Sequence, residues 1–301
     1  MASIVKPGFR GYAEIAGTSS PMRIRFNGCT LNAEQQIEAP DMVMGDDTHN
    51  AWAFGKIEVA GSINGPVTES TGDFIDVLES NFEDGVTINV KYYDGYTRAF
   101  EGCRLNSFSF NVSAGEVVNF TLEIIGTKRS NTNPDMTDGF TKSEKLVTWD
   151  KSSIRILKDG GDNPLLKLDD DPDWAIVYDN LTFMGGLSAF SFTASNNVTR
   201  QFILGQSDLF GDLVEGIKNV EGNITSYTER SSEGVGIGAN YWDQYDGDHA
   251  YPIRFDIGAN LHVRAAVRFA RGTSESQPGP IVTTVNFKGI TTHGRGEVIK
   301  T

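Results

Sequence analysis

Val118-Asn119-Phe120-Thr121-Leu122-Glu123-Ile124 places an apolar side chain at every second position. Period two is the mark of a strand with one face buried and the other wet. Working outward, the same alternation appears upstream in Met22-Arg23-Ile24-Arg25-Phe26 and Val86-Thr87-Ile88-Asn89-Val90-Lys91-Tyr92. Downstream it returns in Ile253-Arg254-Phe255-Asp256-Ile257 and in His262-Val263-Arg264-Ala265-Ala266-Val267-Arg268-Phe269. Tyr93-Asp94-Gly95-Tyr96 predicts a tight hairpin, because Asp-Gly accepts the positive φ angles of such a turn. Helical periodicity is confined to two places. Thr71 is placed to cap Asp73 to Phe82, where Phe74, Val77, Leu78 and Phe82 share a face. Ser207 is placed to cap Asp208 to Val214, a helix weakened by Gly211. Each predicts a short helix lying on a sheet.

The polar run Lys128-Arg129-Ser130-Asn131-Thr132-Asn133-Pro134-Asp135-Met136-Thr137-Asp138-Gly139 has few core-forming residues and predicts a linker. The expected fold class is therefore all-β with minor helix. Two tandem β-sandwich or barrel domains, residues 1–130 and 148–301, are joined by 131–147, each with a short flanking helix. The two blocks look duplicated. Gly55-Lys56-Ile57-Glu58-Val59-Ala60-Gly61-Ser62-Ile63-Asn64 aligns with Gly216-Ile217-Lys218-Asn219-Val220-Glu221-Gly222-Asn223-Ile224-Thr225, sharing Gly, Val, Gly and Ile. Gly115 to Thr121 resembles Gly279 to Val285 in the same order and at nearly the same spacing. One match breaks that order: Leu105-Asn106-Ser107-Phe108-Ser109-Phe110 resembles Leu187-Ser188-Ala189-Phe190-Ser191-Phe192.

A hydrophobic share of 39% in 301 residues supports a packed core. No apolar run reaches the ~18 residues of a membrane span, and Met1 to Gly8 lacks the layout of a secretory signal. The chain is expected to stay where it is made or to leave as part of an assembly. Its charge of −14, from 40 acidic against 26 basic residues, argues against nonspecific attraction to nucleic acid. Cys29 and Cys103 share a Gly-Cys-x-Leu-Asn context, which leaves open a cross-strand bridge or, in a reducing compartment, two thiols.

No nucleophile elbow, His-Glu-x-x-His or phosphate-loop motif occurs, so no enzyme is expected and no catalytic, cofactor or metal residues are assigned. Gly234-Val235-Gly236-Ile237-Gly238 lacks dinucleotide-binding spacing, and His49, His249, His262 and His293 are scattered. Asp243-Gln244-Tyr245-Asp246-Gly247-Asp248 superficially suits calcium but lacks the terminal glutamate of a calcium loop. Asp169-Asp170-Asp171-Pro172-Asp173 predicts an exposed loop. A glycan-binding sandwich would use aromatic platforms such as Trp242 and Tyr245, and a hydrolase would need a carboxylate pair among Asp243, Asp246 and Asp248.

In order, the first block carries a strand from Met22 to Leu31, a Gly-rich pair around Gly55 to Gly65 and an acidic helix from Asp73 to Phe82. The Asp94-Gly95 hairpin follows, then a closing strand pair from Phe108 to Gly126. This pattern resembles the major tail-tube proteins of tailed bacteriophages over residues 9–128 and, more loosely, 150–290. The resemblance implies domains that form rings, and stacked rings that form the conduit for genomic double-stranded DNA. Two domains per chain would let three chains build a pseudo-sixfold ring, an arrangement favoured over a hexamer. Implied partners are other copies of the chain and the tape-measure, tail-terminator and baseplate proteins, with a sheath where the tail contracts. The resemblance also implies assembly in the host cytoplasm and residence in the virion tail, away from membrane. A baseplate or tube-initiator ring is the alternative within the same machinery. Acidic side chains on the inner strands would repel phosphates, whereas Arg23, Arg25, Arg264 and Arg268 would pair between subunits or face outward.

Overall fold

The computed structural model describes residues 11–16, 22–38, 53–81, 83–93, 96–136, 145–156, 166–167, 181–183, 187–201, 212–228, 249–259, 261–270, 273–275, 281–289 and 297–299. The first half contains β1 (Tyr12–Ile15), β2 (Met22–Arg25), β3 (Gly28–Cys29), β4 (Asn32–Glu38) and β5 (Ala53–Pro66). Then come α1 (Thr71–Ser80), β6 (Val86–Tyr93), β7 (Tyr96–Ser113), β8 (Asn119–Gly126) and β9 (Lys128–Arg129). The second half opens with a 3-10 turn (Trp149–Lys151) and continues with β10 (Ser152–Ile156), β11 (Leu166–Lys167), β12 (Thr182–Phe183), β13 (Leu187–Ser195), β14 (Thr199–Gln201) and β15 (Asp212–Val214). It ends with β16 (Asn219–Thr228), β17 (His249–Ile257), β18 (Leu261–Phe269), β19 (Thr273–Glu275), β20 (Ile281–Gly289) and β21 (Glu297–Ile299). The protein is mostly antiparallel sheet, with one α-helix among the described residues.

Each period-two run lies in a strand, and its apolar positions turn inward. Phe120, Leu122 and Ile124 are buried on β8, as are Phe108, Phe110 and Val112 on β7. β7 is long enough to serve two sheets. Its first part pairs with β6 and β9, its second with β8. Gly102 stands at the corner with φ +59°, a left-handed conformation that side chains rarely adopt, and an added Cβ would lie 2.3 Å from the Thr127 hydroxyl.

The order of pairings occurs twice. β1 pairs with β2 and β6, and β10 pairs with β12 and β17. β5 lies between β4 and β8, and β16 lies between β13 and β20. β6 pairs with β7 and β7 with β8, as β17 pairs with β18 and β18 with β20. β19 continues the β18 line along β20, so β18 and β19 together occupy the place of β7. Gly61 and Gly222, aligned in the repeat, stand opposite Ile124 and Phe287 respectively.

The out-of-order match has a direct structural meaning. Ser107 to Ser113 of β7 pair antiparallel with Ala189 to Ser195 of β13, placing Phe110 opposite Phe192. The two similar segments are neighbours because both offer the same apolar stripe to the same core. That pairing makes one central sheet of β4, β5, β8, β7, β13, β16, β20 and β18–β19. Its aromatic core runs through both halves, with ring centroids 5.7 Å apart for Phe108 and Phe192, and 5.0 Å for Phe192 and Phe255. Gly222 lets the chains close up here, since an added Cβ would lie 2.1 Å from the Ser191 carbonyl and 2.5 Å from the Phe287 ring. Gly222→Val is expected to cost ~1–3 kcal/mol through overpacking, read as a lower midpoint in chemical denaturation.

α1 begins at Thr71 with Ser70 as N-cap, so Thr71 is the first helical residue and not the cap; its hydroxyl accepts the Thr68 N–H at 2.9 Å. The buried face is Phe74, Ile75 and Leu78, with Val77 only partly covered. The Ser70 hydroxyl donates to the Arg23 carbonyl at 3.0 Å and fixes the helix start against β2. The second expected helix is corrected in part: Asp212 to Val214 form strand β15 against β14, with Leu213 buried. Gly211 weakens helix there, and a leucine between exposed neighbours suits a strand. Ser207 to Gly211 lie outside the described residues, as do Asp94 and Gly95, although pairing up to Tyr93 and Tyr96 is that of a hairpin.

The polar run after β8 packs as a strap. Thr97 donates to the Pro134 carbonyl at 2.8 Å and Arg98 to Asn133 Oδ1 at 2.8 Å. Lys91 Nζ reaches the Met136 carbonyl at 3.5 Å, and both Lys91 and Met136 are buried. Leu146 and Thr148 form bridges to Thr68 and Val117. The segment is polar because its backbone and side chains bond to the sheet it crosses.

Candidate assembly surfaces

Three regions are candidates for function: the polar face of the central sheet, the contact between the halves, and the face of β10, β17 and β18 turned away from the aromatic core. On the central sheet the side chains opposite the core are Ser, Thr and Asn at most positions, including Ser62, Asn64, Asn111, Thr121, Thr193 and Asn223. Acidic side chains are few on this face of β5, β7, β8, β13, β16 and β20.

The contact between halves is an edge-to-edge strand pairing closed at both ends. At one end the Ala114 N–H donates to the Ser188 carbonyl at 2.8 Å. At the other, the Asn196 N–H donates to the Asn106 carbonyl at 2.7 Å, and Asn196 Nδ2 to the Leu105 carbonyl at 2.9 Å. Arg200 of β14 donates to the carbonyls of Ile57 (3.0 Å), Val59 (3.3 Å) and Gly126, covering the ends of β5 and β8. Glu79 at the end of α1 accepts from Asn196 at 3.0 Å and lies 4.0 Å from Lys218. Edge strands that pair in this way bury backbone groups that would otherwise invite indiscriminate association. Within the central sheet, among the described residues, the remaining outer edges are those of β4 and β19. Beyond the end of β8, β4 and β5 continue as a two-stranded ribbon, with Ile37 opposite Phe54 and Glu38 opposite Ala53.

The face of β10, β17 and β18 turned away from the aromatic core holds a compact ionic cluster in which Asp256, His262 and Arg264 are buried. Asp256 accepts from Arg155 Nε at 2.8 Å on Oδ2 and from Arg254 Nε at 2.6 Å on Oδ1, and His262 Nδ1 lies 2.6 Å from the same Oδ1. Arg155 stands opposite Arg254, and Arg254 opposite Arg264, so three like charges cross three strands. Such a row is unfavourable unless countered, and Asp256 is the counter-charge. Burial alone would raise the Asp256 carboxyl; hydrogen bonds from Arg155 and Arg254 outweigh it and hold the group below its ordinary range. Burial and the Arg254 charge hold the His262 imidazole below its ordinary value, against the pull of Asp256. The unfolded chain therefore takes up these protons more readily than the folded one. Stability is expected to be full above about pH 6.5, the free imidazole value. It should fall as pH drops through the His262 range and further as Asp256 protonates. Thermal midpoints across that range check this, and His262→Gln should flatten the upper part of the profile.

Other singled-out residues distribute as follows. Arg23 pairs with Glu14 at 2.6 Å on the outward side of β1 and β2, and Arg25 stands opposite Tyr12. Arg268 stands opposite Lys288 on the polar side of the central sheet. Cys29 on β3 and Cys103 on β7 are free thiols, not a bridge, and burial pushes the Cys103 thiol up to about 12. Asp169 to Asp173, Gly234 to Gly238, Trp242, Asp243 to Asp248, His49 and His293 lie outside the described residues. Among the described residues no group of three or more His, Cys, Asp or Glu is placed to hold a metal ion, and no helix is long and apolar enough to cross a membrane. The ionic cluster at Asp256 was missed in the sequence, where alternating Arg-Phe-Asp and His-Val-Arg signalled strands but not which charges would meet.

No curated protein sequence matches the chain. A model of the phage tail tube protein family matches residues 8–289, nearly the whole length, and the chain belongs to that family.

Proposed function

From the family to which the chain belongs, we infer that the protein is a structural component of a phage tail tube and a part of the virion tail. We propose that it acts without catalysis, as the self-assembling subunit of that tube, formed in the host cytoplasm, with three chains per ring and rings stacked into a conduit for genomic DNA. The observation that carries this is the β7–β13 pairing between two halves with the same order of strand pairings. One chain already contains the joint that a ring of single-domain subunits would make between neighbours. Repeating it between chains, β19 of one copy to β4 of the next, would consume both open edges and close a barrel.

On this reading the two halves, 1–130 and 148–301, are tandem duplicated domains. Their fusion departs from a one-domain subunit by halving the chains a ring requires. The ribbon of β4 and β5 leaves one end of the central sheet. Trp149, Leu187 and Arg155 line a cleft at the other end, so stacked rings would bring these features together. Tape-measure, tail-terminator and baseplate proteins are the expected partners at the lumen and the two tube ends.

Electron microscopy of the purified chain tests the proposal. Hollow tubes with threefold subunit symmetry are expected; rings that never stack would favour a baseplate or initiator role, and a stable monomer at high concentration would sink both.

A further inference from the structure

The non-core face of the central sheet is organised in cross-strand rows, and two adjacent rows carry no charge. Asn119 stands opposite Asn111, Asn111 opposite Ser191, Ser191 opposite Asn223, and Asn223 opposite Asn286. One line of amides and a hydroxyl thus crosses five strands drawn from both halves. The next row runs Ser113, Ala189, Thr225 and Thr284, with the two threonine hydroxyls 3.1 Å apart. Charges on the described side chains of this face lie in the other rows: Glu34 stands opposite Glu58, Glu123 opposite Ser62 and Ser107, and Glu221 opposite Lys288, which in turn faces Arg268. Glu123 is further engaged by the Ser107 hydroxyl at 2.8 Å. A chain with a net charge of −14 has therefore kept most of its acidic excess off this surface.

We propose that this face, resting on the tube reading above, is a lumen wall that passes duplex DNA as a nearly neutral hydrogen-bonding lattice, not by carboxylate repulsion. Attraction to phosphate requires Lys and Arg that displace counterions. Repulsion requires unscreened carboxylates within about a Debye length, ~8–10 Å near physiological salt. The uncharged rows supply neither, and in the adjoining row Glu221 stands opposite Lys288, so that the nearest carboxylate is countered. Amides and hydroxyls exchange hydrogen bonds with water at little net gain, so the wall holds a hydration layer that a duplex slides over. Transit is then set by width and hydration.

The test uses tubes assembled from the full chain. Short duplex DNA and a neutral dextran of matching width are allowed to partition into them at about 10 mM and about 1 M monovalent salt, between which the screening length falls from ~30 Å to ~3 Å. The expected result is DNA entry that matches dextran and changes less than about twofold across that range, because no counterions are released. Exclusion of DNA at low salt relieved at high salt would overturn the proposal in favour of an acidic wall, and retention at low salt in favour of a basic one. Asn111→Asp, nearly isosteric at an exposed position, should introduce low-salt exclusion without altering dextran entry. Tubes that admit neither polymer would overturn the tube reading itself and this inference with it.

Discussion

Asn32→Cys combined with Thr273→Cys, in a Cys29→Ser background, is expected to convert the assembled protein into covalent trimers under mild oxidation. The register follows from the internal joint. Ser109 faces Thr121, which faces Asn64, while Thr273 faces Thr284, which faces Thr225. Asn64 and Thr225 each stand three residues after the aligned glycines Gly61 and Gly222, so Thr273 holds the place of Ser109. Asn32 faces Ala60 and Thr193 faces Glu221, each one residue before those glycines, so Asn32 holds the place of Thr193. Ser109 pairs with Thr193 inside one chain; Thr273 should therefore pair with Asn32 between chains. Cα atoms of directly opposed residues lie ~4.5–5.5 Å apart, within the ~4.4–6.8 Å that a disulfide spans. Non-reducing gels should show one, two and three chains. A ladder to six would replace the trimer by a hexamer, and an unlinked chain would remove the proposed edge contact. Asn32→Cys with Ser109→Cys is the matched control and should not link, because β13 already occupies that edge.

Phe192→Ala is expected to destabilise the whole molecule and not one half. Phe192 is fully buried, with Phe108 of the first half 5.7 Å away and Phe255 of the second half 5.0 Å away. Truncating a buried phenylalanine costs ~3–5 kcal/mol, and the lost ring contacts contribute to it. At roughly 2–4 °C per kcal/mol for a chain of this size, the melting midpoint should drop by about 10 °C. Calorimetry should show one cooperative transition moving down. Two separated transitions, with only one shifted, would mean that the halves fold independently and that the shared core contributes little.

Much of the strand inventory was legible in the residues. Period-two runs at Met22, Val86, Val118, Ile253 and His262 all lie in strands, since alternation reports only which side of a local backbone is buried. α1 was legible from its helical period, with Phe74 and Leu78 buried as expected, but contact with β2 and β7 added Ile75 to the buried face and left Val77 partly covered. The strap over Lys91 and Thr97 read as a linker because its bonds go to distant partners. Leu213 read as helix because three residues cannot reveal a pairing with β14.

Alternation thus located the principal strands and told which of their side chains turn inward. Folding settled the partners. Phe110 meets Phe192, 82 positions further along the chain, and the neutral row is assembled from Asn111, Asn119, Ser191, Asn223 and Asn286 on five strands. A strand's inward face is a local property of its own sequence. Its neighbour and register depend on closing long loops around one shared core, and that energy is distributed over the whole sheet.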